Sequence, residues 1–242
     1  MFKLLKTFMN SKKSITNDEM INIHRILNTN IKKEPNADED EIIFGCGCFW
    51  GAEKCFWKLP GVITTSVGYA GGLKNNPTYY EVCSGLTGHS EVVRVVWNKN
   101  DIDFSDLLKM FWECHNPTQK DRQGNDIGTQ YRSAIYYTNE NKKELIMASK
   151  EEYQKELNKK NIGQIKTEIK IIDKYFYAEE YHQQYLSIDG SRQYCSASPT
   201  KVKLGNFNGS NYKLDDEIWG NFNWEVDKCV LRSNNKPIKI NT

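Results

Sequence analysis

A cysteine flanked by glycine and aromatic residues is the sharpest chemical signal in this sequence. The segment from Gly45 to Glu53 reads Gly-Cys-Gly-Cys-Phe-Trp-Gly-Ala-Glu and joins a short apolar run to a predicted helix that begins at about Phe49. A thiol at a helix N-terminus faces unpaired backbone N–H groups, so we expect the pKa of Cys48 to lie below that of an ordinary cysteine. Because the thiolate is the nucleophile, the pattern favours a reactive Cys48 over the alternative of a buried structural cysteine.

A carboxylic acid, Glu91, is predicted to share a strand face with apolar side chains. The polarity around it alternates, so that Glu91 lies on the same face as Val93 and Val95. Two interpretations are open: a solvated carboxylate at the strand end, or a buried carboxyl group with a raised pKa. The buried form could donate a proton to a developing oxyanion. Tyr79 and Tyr131 could add hydroxyl donors, although each could equally be an ordinary half-buried tyrosine.

The cysteines do not form a pattern typical of disulfide frameworks or zinc sites. Their number is odd, no secretory signal precedes them and no pair has the Cys-x-x-Cys spacing. A reducing compartment with some reactive thiols therefore fits better than a secreted protein. The seven residues are Cys46, Cys48, Cys55, Cys83, Cys114, Cys195 and Cys229.

The composition indicates a globular protein with no strong electrostatic preference. Of its 242 residues, 38% are hydrophobic and 26% are charged, and 33 Lys and Arg against 31 Asp and Glu give a formal charge of +2. That charge predicts neither nucleic acid nor an anionic membrane as partner. The mean hydropathy is −0.69, and no apolar run approaches the roughly 20 residues that a membrane-spanning helix needs.

Strand and helix patterns alternate along the middle of the chain. Because the first strands follow one another closely, we predict an α+β fold: a two-layer sandwich with a mixed β-sheet, helices packed on it and a long irregular C-terminal tail. The predicted strands cover residues 42–44, 62–69, 89–97, 131–138 and 165–172, and the predicted helices cover 49–59, 104–112, 140–160 and 177–186.

Three regions are expected. Residues 1–38 are predicted to be a flexible N-terminal extension, 39–187 a compact domain, and 188–242 a tail that wraps on the domain. The extension has four lysines and no acidic residue before Asp18. This composition is typical of a polar tail, and the alternative is a mitochondrial targeting leader.

Eight motifs stand in order along the middle of the chain. They are GCFWGAE at 47–53, VGYAGG at 67–72, NPTY at 76–79, EVCSG at 81–85, TGHSE at 87–91, RQGND at 122–126, GTQYRS at 128–133 and HQQYL at 182–186. Together they resemble the peptide methionine sulfoxide reductases of the A type. The similarity extends from about residue 42 to 187, so the resemblance implies that 39–187 is the catalytic domain. It also implies reduction of methionine-S-sulfoxide, free or in proteins, with thioredoxin or dithiothreitol as reductant and no bound cofactor.

The resemblance also implies a role for each matching residue. Cys48 would attack the sulfoxide sulfur, and Glu91 would protonate the sulfoxide oxygen. Tyr79, Tyr131 and Asp126 would form the polar network around that oxygen. The reaction would leave methionine and a sulfenic acid on Cys48.

The same resemblance implies a substrate cage and a resolving thiol. Phe49 and Trp50 would enclose the substrate methyl group. Tyr194-Cys195 stands where the family has its resolving cysteine, which would form a disulfide with Cys48 that thioredoxin then reduces. The family's Gly-rich tail with a second recycling cysteine is absent, so Cys229 is the weaker candidate for that role.

Two other functions compete with this interpretation. A papain-like cysteine hydrolase would use Cys48 with His182, although the motif lacks one residue and His182 lies in a predicted helix. A non-catalytic thiol or zinc interaction module would use the scattered cysteines, whose spacing speaks against zinc. No metal is predicted. The protein is expected to be a cytoplasmic monomer, with a mitochondrial location as the alternative.

Overall fold

A mixed six-stranded sheet forms the centre of the fold. The computed structural model describes residues 22–226 and 229–239. The strand order is β7-β6-β1-β3-β2-β8, with β6 and β7 parallel and the other neighbours antiparallel. A separate ribbon pairs β4 with β5. The strands are β1 Glu39–Cys46, β2 Val62–Ala70, β3 Ser90–Asn98, β4 Arg122–Gln123, β5 Asp126–Ile127, β6 Ser133–Tyr137, β7 Glu168–Ile171 and β8 Tyr175–Tyr177.

Helices pack on one face of this sheet, which confirms the predicted α+β class. They are α1 Phe49–Trp57, α2 Tyr79–Cys83, α3 Phe104–Cys114, α4 Lys143–Lys159, α5 Asp216–Trp219 and α6 Cys229–Arg232. Four 3-10 turns cover Thr129–Tyr131, Glu140–Lys142, Glu180–His182 and Tyr185–Ser187. No helix in the described ranges is long and apolar enough to cross a bilayer.

The predicted helix over 177–186 is wrong. Two 3-10 turns replace it, because Gln184 between them adopts a left-handed conformation with φ of 48°. The backbone amide and the side-chain amide of Gln184 both donate to the buried carboxylate of Glu53. These two bonds favour a conformation that no continuous helix could adopt.

Aromatic side chains between sheet and helices form the main core. Phe44 on β1 stacks on Phe56 of α1 and on Phe111 of α3, with ring centroids 5.0 Å apart in both pairs. Burying such a side chain stabilises the fold by roughly 1.5–3 kcal/mol. The alternation predicted for β3 is confirmed, since Val93 belongs to this core and Val92 to a small cluster on the other face.

Residues 22–38 pack on the domain, contrary to the expectation of a flexible extension. His24 is buried beside Trp57, with ring centroids 5.9 Å apart, and its Nε2 lies 2.9 Å from Thr65 Oγ1. Arg94 of β3 donates to the carbonyl of Lys33 at 2.9 Å. The rest of the predicted extension, including the possible leader, lies outside the described residues.

The C-terminal tail is irregular, as predicted, and it wraps around the domain. Its apolar side chains Val202, Phe207 and Trp224 are buried in the main core. The backbone amide of Leu204 donates to Glu113 at 2.8 Å. These contacts hold the tail on the domain as far as Trp224. The helix α6, which carries Cys229, packs on α1.

Candidate active site

Side chains from five separate elements meet in one open cavity. The sequence motifs that contribute them lie far apart along the chain, and the sheet brings them together. The lining residues include seven predicted ones, Cys48, Phe49, Trp50, Tyr79, Glu91, Asp126 and Tyr131, and two that were not assigned to it, Arg192 and Tyr194.

Glu91 lies next to Cys48 because β3, which carries Glu91, is the neighbour of β1, which ends two residues before Cys48. β1 pairs with β3 as far as Phe44 opposite Val93, so the chain that leaves β1 passes Glu91. The Phe49 amide donates to Glu91 Oε2 at 3.0 Å. Glu91 is buried, which decides between the two interpretations of its strand position. Burial raises the pKa of Glu91 to about 8, against the opposing effect of the Phe49 amide. The carboxyl group is therefore mainly protonated at neutral pH.

The expectation of a lowered pKa for Cys48 is wrong. Cys48 is the residue before α1, but burial of the thiol raises its pKa well above the ordinary value, and the nearby Glu91 carboxylate adds to the effect. The backbone amide of Trp50 lowers the pKa of Cys48, but by less than burial raises it. At Cys48, the cost of burying a charge exceeds the stabilisation that one helix N-terminus provides. Cys48 is therefore a thiol before substrate arrives.

Three polar groups face the same cavity. Burial raises the pKa of Tyr79 and of Tyr131, so both hydroxyls remain protonated donors. Asp126 Oδ1 accepts a hydrogen bond of 2.6 Å from the Tyr194 hydroxyl. Its Oδ2 is buried and has no hydrogen-bond partner in the described part of the protein. Such an atom is available to a ligand or a water molecule.

Aromatic rings form one wall of the cavity. Trp50 stacks on Tyr185 with ring centroids 3.8 Å apart and planes 14° apart. Its Nε1 donates to His182 Nδ1 at 3.1 Å. Burial lowers the pKa of His182 to about 4, so its ring is neutral at pH 7 and can accept this bond. His182 therefore orients the Trp50 indole.

The residues that line this cavity all lie within the part of the chain that matches a protein-family model. The model of the peptide methionine sulfoxide reductases matches residues 40–213, more than half of the chain. The chain belongs to this reductase family. That membership confirms the predicted family and an oxidoreductase activity on methionine sulfoxide.

Individual relatives agree with the family assignment. The chain is 56% identical over 165 residues to the peptide methionine sulfoxide reductase MsrA of Pseudomonas putida (strain W619), covering 68% of this chain and 74% of that one. It is 58% identical over 160 residues to the mitochondrial peptide methionine sulfoxide reductase of Mus musculus, covering 66% and 68%. The solved methionine sulfoxide reductase A of Corynebacterium diphtheriae is 40% identical with a TM-score of 0.64, covering 76% of this chain and 89% of that one.

Two carboxylates of this reductase, the buried Glu53 and the partly buried Glu179, were missed by the sequence analysis. Glu53 of α1 accepts from Thr65 Oγ1 at 3.0 Å and from Gln184, which holds the turns that carry His182. Glu179 accepts from the Tyr69 hydroxyl and from the Tyr79 amide, which anchors the start of α2. The available signal for Glu53 was an acidic residue in a predicted helix whose other residues, apart from Lys54, are apolar or glycine.

Replacing Glu53 by glutamine is expected to change how stability depends on pH. Burial raises the pKa of Glu53 from 4.5 to about 7. The ionised carboxylate is therefore disfavoured in the folded state, and this residue destabilises the wild type progressively between pH 4.5 and 7. We expect the unfolding free energy of Glu53→Gln relative to wild type to rise by about 3 kcal/mol over that range. Urea titrations at several pH values measure it, and a difference independent of pH would contradict it.

The predicted resolving cysteine of the reductase packs against the first turn of α1. Cys195 is buried, and a Cβ atom on Gly51 would come within 2.5 Å of its Sγ. Only glycine at position 51 allows Cys195 to approach the helix that begins after Cys48. The Cys195 thiolate would also raise the pKa of Cys48, so the two sulfur atoms are close enough to interact electrostatically.

Cys229 lies beside Cys195 rather than in the active-site cavity. Both line a second, apolar cavity behind α1. Burial raises the pKa of Cys229 to about 12, with Cys55 and Cys195 adding to the effect. In this conformation Cys229 is a poor nucleophile, because so little of it is thiolate at neutral pH.

A buried thiol cluster occupies the far side of that cavity. Cys46, Cys114 and His115 offer ligand atoms within 4.8 Å of one another. However, the His115 ring nitrogens lie 2.7 Å from the Phe111 carbonyl oxygen and 2.8 Å from Ser133 Oγ. Both nitrogens are thus engaged, and a metal ion would have to displace one of these bonds.

Proposed function

We propose that this reductase converts methionine-S-sulfoxide, free or in proteins, to methionine, with Cys48 as nucleophile and Glu91 as acid. The observation that carries the proposal is the shared cavity of a thiol and a buried carboxyl group with a pKa of about 8. A carboxyl group that is protonated at neutral pH can supply the proton that makes a sulfoxide oxygen a leaving group. The epimer preference follows from the family resemblance.

Proton transfer from Glu91 also accounts for how a thiol with a raised pKa becomes nucleophilic. A protonated sulfoxide carries positive charge next to the Cys48 sulfur, and a nearby cation favours the thiolate. The Cys48 sulfur then bonds to the substrate sulfur, and the proton of its thiol passes to Glu91, which has given its own proton to the oxygen. The oxygen becomes bonded to Cys48 as the sulfur–oxygen bond and the transient sulfur–sulfur bond break, and methionine leaves. The balance is one sulfoxide and one thiol giving one methionine and one sulfenic acid.

The remaining cavity residues orient the sulfoxide. The protonated hydroxyls of Tyr79 and Tyr131 donate to its oxygen, and Asp126 completes the polar network through its unpartnered Oδ2. Phe49 and Trp50 bind the methyl group against an apolar wall. A polar group on one side and rings on the other would distinguish the oxygen from the methyl group, which have similar size.

Cys195 is the proposed resolving residue. Its thiol attacks the Cys48 sulfenic acid, a Cys48–Cys195 disulfide forms and water leaves. Two electrons from a dithiol then reduce the disulfide. Thioredoxin is the proposed physiological reductant, and dithiothreitol replaces it in vitro. The reaction needs no bound cofactor. Cys229 is the proposed second recycling cysteine because it lines the same apolar cavity as Cys195.

Single substitutions separate the two tail cysteines. With thioredoxin as reductant, Cys195→Ser is expected to release one methionine per protein and then stop, because the sulfenic acid has no resolving thiol. Cys229→Ser is expected to turn over at a rate reduced by roughly tenfold or less, since a thiol with a pKa of about 12 contributes little thiolate. Methionine release is followed by chromatography. Multiple turnovers by Cys195→Ser would contradict the assignment.

The proposed location is the cytoplasm, and the proposed state is a monomer. The alternative is a mitochondrial location directed by the basic residues before Asp18, which lie outside the described residues. Cell fractionation with N-terminal sequencing distinguishes the two, because an imported leader would be removed.

A resolved epimer assay tests the proposed function. The purified protein is incubated with racemic methionine sulfoxide and dithiothreitol, and each epimer is quantified. Loss of the S epimer alone is the expected result. Persistence of both epimers with folded protein would contradict the proposal and would favour a non-catalytic thiol protein. Cleavage of an acyl substrate would instead favour the papain-like alternative.

A further inference from the structure

Three cysteine thiols from three elements of the domain meet behind α1. Cys46 ends β1, Cys55 lies in α1 and Cys114 ends α3, and all three side chains are buried. They line the apolar cavity behind α1, of which Cys48 is not a lining residue. These residues, here called the three-thiol site, have no role in the proposed catalytic cycle. The structure therefore brings together three sulfur atoms that the reduction of a sulfoxide does not use.

The sulfur atoms of the three-thiol site lie close enough together to hold one metal ion. Cys46 Sγ and Cys114 Sγ lie within 4.8 Å of each other. The thiol of Cys46 raises the pKa of Cys114 and that of Cys55 lowers it, so both are neighbours of Cys114. Metal–sulfur bonds of about 2.3 Å place two sulfur atoms on one ion at most about 4.6 Å apart. Small side-chain adjustments around Cys114 would thus suffice for a shared ion.

The donor set of the site favours a soft metal ion with few ligands. His115 Nδ1 lies 4.0 Å from Cys114 Sγ, but its two ring nitrogens are engaged by the Phe111 carbonyl and by Ser133 Oγ. Thiolates select soft ions such as Cu(I), and they also bind zinc. Structural zinc almost always has four ligands, whereas Cu(I) forms stable complexes with three thiolates. The three-thiol site therefore fits Cu(I) better than zinc.

Two buried lysines next to the site lack an anionic partner. Lys54 and Lys58 are 2% and 4% exposed, and their ammonium groups donate to carbonyl oxygens of residues 233–236. No carboxylate among the described residues acts on either lysine. The Cys114 thiol and burial raise the pKa of Cys55 well above its ordinary value, and both lysines lower it. Since buried charges in proteins are normally paired, thiolates at this site would supply the missing negative charge.

We propose that Cys46, Cys55 and Cys114 bind one Cu(I) ion through three thiolates. Binding releases three protons, because a ligating cysteine must be deprotonated. One Cu(I) and three thiolates carry two net negative charges, which the two buried lysines balance. Cys229 lines the same cavity and is only partly buried, so the ion can enter past it. The site does not include Cys48, and the proposal therefore holds or fails independently of the proposed function.

Competition with a coloured chelator tests the site. The reduced full-length protein is titrated with Cu(I) in the absence of oxygen, with bathocuproine disulfonate as competitor. Loss of a group that only orients a metal ligand costs 10–100-fold in affinity. Cys46→Ala and Cys114→Ala, which each remove a ligand, are therefore expected to weaken Cu(I) binding by roughly 100-fold or more. Cys83→Ala removes a thiol that does not line this cavity, and this control is expected to bind as tightly as the wild type.

The ligands of the bound ion provide a second measurement. X-ray absorption of wild-type protein loaded with one Cu(I) is expected to show three sulfur neighbours, and it decides the ligand set even if an alanine variant fails to fold. A nitrogen ligand or a fourth sulfur ligand would overturn the proposal. Unchanged affinity in the folded Cys46→Ala and Cys114→Ala variants would also overturn it. So would loss of binding in Cys48→Ser, because the copper would then occupy the catalytic thiol.

Discussion

Replacing Cys48 by serine is expected to reduce turnover of methionine-S-sulfoxide by about 10⁴-fold or more. Loss of a catalytic nucleophile removes an interaction that acts as a unit with the rest of the site, and such losses reach 10⁴–10⁶. The hydroxyl of serine is a far weaker nucleophile toward sulfur and cannot form the sulfenic acid. Initial rates with dithiothreitol measure the effect.

A matched control exists two residues away. Cys46 is buried in the thiol cluster behind α1 and does not line the active-site cavity. Cys46→Ala is expected to lose some stability but to retain activity in its folded fraction. Equal loss of activity in the two variants would contradict the assignment of Cys48, because it would make the effect a consequence of unfolding.

Replacing Glu91 by glutamine is expected to lower kcat by roughly 10²–10⁴-fold, the usual contribution of a general acid. Glutamine keeps the shape and can still accept from the Phe49 amide, so the cavity should be preserved. The exposed carboxylate of Glu140 offers a control, and Glu140→Gln is expected to behave as wild type. Retention of more than a tenth of the wild-type rate by Glu91→Gln would exclude a general acid at this position.

The pH profile provides a second readout for Glu91. The acid form is required, and its fraction falls as pH rises through a pKa of about 8. We therefore expect kcat/KM of the wild type to decline above about pH 8, and we expect Glu91→Gln to lack that decline. A decline that persists unchanged in the variant would assign the titrating group elsewhere.

The sequence was sufficient for those features that depend on local periodicity. The alternation around Glu91 predicted a carboxyl group on the core-facing side of β3, and the strand register brings it beside Cys48. The glycine-flanked thiol before α1 was equally visible. Whether Glu91 was buried depended on long-range packing, which alternation alone does not specify.

Other features depend on partners that are distant in the chain. The pKa of Cys48 is set by burial from several elements, which outweighs the single helix end visible in the sequence. The predicted helix over 177–186 fails because Glu53, more than a hundred residues earlier, binds Gln184. Residues 22–38 are polar in composition, yet His24 finds a buried site that no local pattern indicates.

For Cys195, too, the sequence predicted one feature and missed another that depends on distant residues. Its motif predicted the resolving role, but its burial against Gly51 depends on the irregular tail packing on the domain. Tail segments without periodicity carry no local signal for such contacts. Their course is defined instead by scattered apolar anchors such as Trp224.

A single-turnover experiment with Cys195→Ser tests the central claim most directly, namely that Cys48 takes the oxygen from the substrate. The variant is mixed with one equivalent of methionine-S-sulfoxide without reductant, trapped with a sulfenic-acid reagent and mapped by mass spectrometry. We predict one methionine released per protein and the trapped adduct on Cys48. Release of no methionine, or an adduct on any other cysteine, would contradict the account.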